Sequence, residues 1–481
     1  MPGRPHRCLT NALSSALLTA VALLLIAGCQ PLIRPPTEEP PVVAASPGAP
    51  GMDDPLYPGL GNGGYDVHHY ALDLVANPAT ARITGTTTIQ AQAVQNLSAF
   101  NLDFRGLKVQ AVQVNGEAAG HRRQGSELVI EPAAPLPAGS VFTTVVDYAG
   151  FPVPVRDPAA PMRVGWQRQP GGAFVASEPS GAMSWYPNNN HPADKATYTL
   201  RITVPDTHQV AANGLLADVL PSPGTNTFVW QMDQPMASYL TTVHIGVYDV
   251  VSTTMPSGVI IRNYFPPATS TTVRAGFDET PAMIEFMERL VAPYPFEAYG
   301  VALLTMPTSW ALETQTLSTY GARGAWSQEV VIHELVHSWF GNSVSPATWR
   351  DVWLNEGFAT YFSALWLDHT GERPLAEYMP NLYQLLATHE VGPPALVPAN
   401  NLFGDETYLR GAYALHTLRQ RVGDDRFFAI IREYYTRYAG GHAATADFMS
   451  VVYELGGSDA AALLDAWLYD EVVPPAAEGD D

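Results

Sequence analysis

The sequence predicts a chain of two folded domains of mixed class: an antiparallel β domain, saddle- or sandwich-like, followed by a mainly helical α+β domain. Three observations carry that prediction. At 481 residues the chain exceeds what a single core usually organises. From about Tyr65 to Val251, short runs alternate apolar with polar or threonine side chains, the period of a half-buried strand. After about residue 272 the apolar positions recur at helical spacing, as in Met283, Phe286, Met287 and Leu290.

Taken in order, the N-terminus reads as a targeting segment. Arg4, His6 and Arg7 form a basic region ahead of an apolar stretch, Leu13 to Ala27, that is short for a membrane span. It ends in Leu25-Ile26-Ala27-Gly28-Cys29, which resembles the lipobox of bacterial lipoproteins. That resemblance implies a signal peptide over 1–28, a lipid on Cys29, a membrane anchor and an extracytoplasmic place in the cell envelope. Residues 29–62, rich in Pro, Gly, Ala and Glu, read as an extended tether. The β domain spans 63–252, with strands expected at 70–74, 83–93, 109–114, 141–148, 198–204 and 239–248. Turn pairs such as Asn77-Pro78, Asn115-Gly116 and Asn213-Gly214 separate them. The second domain spans 253–475. Its helices are expected over 278–291, 326–340, 354–369, 374–388, 405–421, 424–438 and 444–455, with a buried strand at 301–304. Residues 476–481 form an acidic tail.

Composition narrows the function. A net charge of -21 leaves no basic stripe to neutralise phosphates, so nucleic acid is not an expected partner. The two cysteines are Cys8, inside the signal segment, and Cys29 at its end. No thiol then remains for a disulfide or a nucleophile, and a metal site must use His, Asp and Glu.

Such a site is written in His333-Glu334-Leu335-Val336-His337, within the expected 326–340 helix. Residues four apart lie about 40° apart around a helix and one turn along it, so both imidazoles can reach one cation. Glu334 falls about 100° from His333, beside the metal, where it can hold a water. This pattern is a zinc-peptidase signature. A third ligand is expected from Trp353-Leu354-Asn355-Glu356-Gly357-Phe358-Ala359, in which Glu356 follows His337 after eighteen intervening residues. Two imidazoles and one carboxylate leave zinc an open fourth position, as a catalytic site requires.

With these motifs the chain resembles the zinc aminopeptidase family of aminopeptidase N and leukotriene epoxide hydrolase (gluzincin metallopeptidases), in a short form without that family's C-terminal helical domain. The resemblance implies a thermolysin-like catalytic domain, one zinc per chain, and peptide substrates with a free N-terminus. It implies that Glu334 is the general base. Trp310-Ala311-Leu312-Glu313-Thr314 is similar to the family's Gly-Ala-Met-Glu-Asn segment, which implies that Glu313 binds the substrate's α-ammonium. Tyr408-Leu409-Arg410-Gly411-Ala412 resembles the Tyr-x-Lys/Arg-Gly-Ala helix, which implies that Tyr408 donates to the oxyanion, ahead of Tyr320, Tyr361 and Tyr413. Ser177-Glu178-Pro179, followed by Trp185-Tyr186-Pro187 and Asp194-Lys195-Ala196, resembles the segment that brings a second acid to the amine. Glu178 matches that acid, whereas the family's glutamine is Ala176 here. The missing domain implies a more open cleft. Three alternatives stand beside this reading: a thermolysin-type endopeptidase, an epoxide-hydrolysing relative, and a catalytically idle lipoprotein that binds peptides.

Overall fold

The computed structural model describes residues 44–322 and 324–476. The signal segment 1–28, Cys29, the first part of the tether and residues 477–481 of the acidic tail lie outside the described residues. The strand Lys195–Pro205 shows how the N-terminal half is built. Its inward positions Ala196, Tyr198, Leu200, Ile202 and Val204 are buried, and the residues between them are half-exposed. It lies in an eight-stranded sheet ordered Leu215–Ser222, Thr225–Ala237, Lys195–Pro205, Tyr65–Asn77, Arg82–Ala93, Val141–Gly150, Lys108–Val114 and Glu117–Ala118.

The expected antiparallel pattern needs one correction: Lys195–Pro205 runs parallel to Tyr65–Asn77, with Leu200 opposite Leu72. A parallel pair requires a long crossover. Here the intervening chain contributes strands to two further layers. One is a five-stranded sheet that includes Arg163–Gln169, Gly172–Ala176, Val243–Gly246 and Gln209–Ala212. The other is four-stranded and includes Leu97–Asp103, Gly120–Gln124 and Glu127–Glu131. The run 239–248 is not one strand. It is a 3-10 turn, Ser238–Leu240, followed by the strand Val243–Gly246. Thr241 Oγ1 donates to Ser238 O at 2.7 Å and closes that turn.

A second correction concerns the tether. Residues 44–62 are not an extended spacer but part of the fold. Ser46–Pro47 pairs with the strand Leu97–Asp103, and Asp54 and Asn62 are fully buried. Asp54 accepts from the backbone N–H groups of Leu56 and Tyr57 at 2.8 Å each, and from that of Trp349 at 2.7 Å. A carboxylate with three donors fixes a segment that its Pro- and Gly-rich composition would leave loose.

The C-terminal half holds a five-stranded sheet ordered Asp249–Thr254, Ile260–Phe265, Ala298–Leu303, Ser318–Tyr320 and Ala311–Leu312. Ala298–Leu303 is buried throughout, as a central strand with parallel neighbours must be. Around it run α1 Thr271–Ala275, α2 Thr280–Leu290, α3 Gln328–Val336, α4 Trp353–Thr370, α5 Leu375–Thr388, α6 Gly411–Val422, α7 Asp424–Tyr438, α8 Thr445–Gly456 and α9 Ser458–Tyr469. Three of these depart from expectation. Helices α1 and α9 have no counterpart among the expected ones, and the expected 405–421 helix begins with a π turn, Glu406–Arg410, before α6. Arg410 ends that turn. Its buried guanidinium donates to the carbonyls of Val391, Trp467 and Asp470 at 2.8, 3.0 and 2.6 Å. The described residues form one compact unit. Among them no helix is long and apolar enough to cross a membrane.

Candidate active site

Helix α3 starts at Ser327, whose side chain accepts from the backbone N–H of Val330. Val331, Ile332, Leu335 and Val336 bury one side of α3, while His333 lies half-buried at the cavity. The helix ends at His337, short of the expected 340. The Gly341 carbonyl accepts from Tyr239 and Ser345 hydroxyls, each at 2.9 Å. Helix α4 brings Glu356 to the same place. The approach depends on two glycines. A Cβ on Gly357 would come within 3.0 Å of the Gly411 Cα, and one on Gly411 within 3.1 Å of the Gly357 Cα. Only bare backbones allow α4 and α6 to pack this closely, and so bring Glu356 and Tyr408 into one cavity.

The three expected metal ligands converge. His333 Nε2 lies 3.2 Å and His337 Nε2 3.4 Å from Glu356 Oε2. Two ligands about 2.0 Å from a tetrahedral zinc stand roughly 3.3 Å apart, so the spacing suits that ion. His337 Nδ1 donates to the Phe340 carbonyl at 3.0 Å. That bond fixes the tautomer and turns Nε2 toward the ligand cluster. Burial favours the neutral ring, but Glu356 and Glu313 draw a proton onto His337 and raise its pKa. Glu356 is held below its ordinary range by His337, against the effect of burial. A dication takes the place of such a shared proton. The donor set contains no sulfur, as the cysteine positions required.

Three further carboxylates surround this triad. Glu334 lines the same cavity, and burial, reinforced by Glu313, pushes its pKa well above the carboxylate range. Carboxylate oxygens of Glu178 and Glu313 lie within 4.8 Å of each other and of one from Glu356. Both are buried, both keep one oxygen without a hydrogen-bond partner, and burial raises both pKa values, reinforced by neighbouring acids and, at Glu313, opposed by His337. Two buried acids at this separation are stable as a pair of anions only when a cation joins them. Tyr408 sits in the π turn with its ring 5.8 Å from that of His333 at an angle of 14°. Burial and the nearby carboxylates push its hydroxyl well above 10.0, so it remains a donor. Tyr320, Tyr361 and Tyr413 do not line the cavity.

The cavity has a volume of about 550 Å³. All seven expected site residues, His333, His337, Glu356, Glu334, Tyr408, Glu313 and Glu178, line it. The residues that position them were mostly missed. Asn342 donates its side-chain amide to the Glu313 carbonyl at 2.8 Å. Lys195 Nζ donates to the carbonyls of Asn342, Ser343 and Gly441 at 2.8, 2.8 and 3.1 Å. Asn213 donates to the Gln315 carbonyl at 2.7 Å, and Gly214 N–H donates to Thr316 Oγ1 at 2.8 Å. The turn after Glu313 is thereby fastened to the β domain. The Asn213-Gly214 dipeptide gave a local signal for its own turn and none for this long-range role.

Comparison with known proteins agrees with this geometry. The peptidase family M1 domain matches residues 276–467, and the peptidase M1 N-terminal domain matches residues 67–240. Human endoplasmic reticulum aminopeptidase 1 is 27% identical over 417 residues, which cover 77% of this chain and 43% of the relative. Aminopeptidase N of Streptomyces lividans is 24% identical over 456 residues, covering 84% of this chain and 50% of that protein. The chain thus spans half or less of the length of these two relatives. Solved structures match over 89% of this chain. An M1 zinc metallopeptidase from Deinococcus radiodurans is 32% identical with a TM-score of 0.84, covering 89% of this chain and 99% of that one. A mutant form from the same organism, bound to a Tyr-Ser-Ala substrate, matches with a TM-score of 0.83 at 32% identity and covers 89% of this chain and 100% of its own.

Proposed function

The chain belongs to the peptidase M1 family, and from that premise we propose that it is a zinc-dependent aminopeptidase that removes residues from the free N-termini of peptides. One observation carries the reading. Two buried acids, Glu178 and Glu313, stand within 4.8 Å of the metal ligand Glu356 in a single cavity. An endopeptidase has no use for a cation site beside its metal, whereas an exopeptidase must grip an α-ammonium there.

His333, His337 and Glu356 would hold the zinc, which supplies Lewis acidity to an attacking water and to the scissile carbonyl. Glu178 and Glu313 bind the ammonium through charge-assisted hydrogen bonds and set which peptide bond faces the triad. Glu334 takes a proton from the water at its carboxylate oxygen and returns it to the leaving nitrogen. Burial beside Glu313 raises its pKa, which makes it a stronger acceptor for that proton. Tyr408 keeps its proton and donates a hydrogen bond to the oxygen that becomes negative.

The test is Glu334→Gln. The variant should retain metal by elemental analysis while kcat falls at least ~100-fold on an aminoacyl coumarin amide. Full activity in that variant rejects the scheme. N-acetylated substrates should be inert, and their cleavage at the rate of free amines would point to an endopeptidase.

We further propose that the enzyme works outside the cytoplasm, tethered by a lipid on Cys29. The basic residues Arg4 and Arg7, the apolar stretch to Ala27 and the Leu25-Ile26-Ala27-Gly28-Cys29 run support this. Cys29→Ala should release the protein from the membrane fraction of its host. Membrane association unchanged by that substitution would remove the lipid from the account.

A further inference from the structure

Phe174, Ala176 and Leu304 form a small apolar cluster apart from the main core, with Met162, Met306, Trp310 and Leu312 packed against it. Four of these residues, Met162, Ala176, Trp310 and Leu312, also line the cavity of the metal triad. The cluster is therefore shared between the fold and the active site. Its position relative to the acids follows from the chain itself. Ala176 ends the strand Gly172–Ala176, two residues before Glu178. Leu312 ends the strand Ala311–Leu312, directly before Glu313. The two strands that deliver the amine-binding acids thus also deliver this apolar wall.

A substrate with its ammonium on Glu178 and Glu313 and its first carbonyl at the triad has its first Cα between them. The side chain of that residue then meets the wall. Trp310 is the largest element of it, half-buried, with its ring 6.1 Å from that of Phe174 at 37°. Met162 and Leu312 are likewise half-buried and offer apolar surface to the cavity. The cavity lining contains no Lys and no Arg, and its carboxylates are the acids already assigned to metal, water and amine. No lysine or arginine there can pair an acidic side chain, and four glutamates oppose it. Trp310 and Ala176 are also two of the positions where this chain departs from the family pattern, which has Gly and Gln there. Tryptophan for glycine adds a broad apolar face, and alanine for glutamine removes a polar group.

We infer that the enzyme selects peptides whose first residue carries a long apolar or aromatic side chain, and that Trp310 is the residue that selects it. The inference rests on the aminopeptidase reading above. Leucine carries three more carbons than alanine, and burying them against the wall is worth at least a tenfold difference in kcat/KM.

The experiment is a panel of aminoacyl coumarin amides hydrolysed by the zinc-loaded enzyme and by Trp310→Gly and Leu312→Arg. The wild type should favour Leu, Met and Phe at least tenfold over Ala and at least ~100-fold over Asp. Trp310→Gly should bring the Leu-to-Ala ratio within about threefold. Leu312→Arg should raise the Asp rate about tenfold by supplying the missing cation. A wild-type panel in which Ala or Asp comes within threefold of Leu overturns the inference. So does a Trp310→Gly enzyme that keeps the full Leu preference. Acetyl-Leu amide separates the two levels. If it is cleaved as fast as free Leu amide, the aminopeptidase reading itself fails. If a free amine is required and the panel is flat, only the selectivity assignment falls.

Discussion

Asn213→Ala tests whether the β domain controls the catalytic centre. Asn213 is completely buried in the turn that joins two strands of the β domain, and one carboxamide serves three backbone groups. It donates to Leu240 O at 3.0 Å and to Gln315 O at 2.7 Å, and accepts from Thr242 N at 2.7 Å. The Gln315 contact reaches the turn from Thr314 to Leu317, which a backbone bond of 3.0 Å closes. Thr316 in that turn has φ 66°, an uncommon conformation for a β-branched residue. Such a residue costs on the order of 1–3 kcal/mol and persists only where the surroundings enforce it. Alanine at 213 leaves two carbonyls and one N–H unpaired, at about 1–3 kcal/mol each before water enters. A net loss of roughly 3 kcal/mol in urea unfolding is expected. Freed of its anchor, the turn can relax at Thr316 and carry Glu313, three residues away, off the amine. A displacement near 1 Å is worth up to ~100-fold in rate. Steady-state kinetics on Leu coumarin amide should show kcat/KM down at least tenfold, mostly through KM, with zinc content unchanged. Loss of stability with kinetics within twofold of wild type would refute the coupling. Unchanged stability would refute the hydrogen-bond argument beneath it.

Tyr408→Phe keeps the ring that lies 5.8 Å from His333 and removes only the hydroxyl. Its kcat should drop about 100-fold with KM within threefold, and a change confined to KM would give Tyr408 a binding role instead. Gly357→Ala places a methyl 2.9 Å from the Gly411 backbone. Overpacking should cost about 1–3 kcal/mol and weaken zinc retention against a chelator, because Glu356 moves with its helix. A variant with wild-type stability and zinc retention would show that α4 tolerates the shift. Glu127 lies opposite Asp103 across a strand pair, and burial raises its pKa to about 7. The folded state thus holds a proton that the unfolded chain sheds near 4.5, so stability falls as pH rises toward 7 and stays lower above it. Glu127→Gln should be about 1 kcal/mol more stable than wild type at pH 8, an amount reduced for partial exposure, and equal to it at pH 4. An equal gain at both pH values would trace the effect to something other than charge.

The hydrolytic half of the site and the exopeptidase half were legible to different degrees, and the reason is sequence distance. Metal ligation is local. His333 and His337 are one turn apart, Glu356 lies on the helix that follows, and the apolar period that marks both helices can be read in a short window. The long strands 65–77, 82–93 and 141–150 were legible on the same ground, whereas Gly120–Gln124 and Asp249–Thr254 are exposed throughout and show no alternation to read. Amine recognition is not local. Glu178 comes from the β domain, and Glu313 is steadied by Asn213 about 100 residues earlier and by Asn342. Lys195, which holds the Asn342 loop, looks in the sequence like any lysine on a strand edge. Its role appears only when three carbonyls from residues 342, 343 and 441 meet its ammonium. Asp54 was hidden in the same way, inside a segment whose prolines and glycines suggested a spacer, because its partner Trp349 is 295 residues away. A residue whose chemistry is used by its neighbours announces itself through periodicity, and one whose chemistry is used across the fold does not. The proposed amine site draws Glu178 from one domain and Glu313 from the other, and substitutions in the β domain far from zinc should weaken the proposed requirement for a free N-terminus.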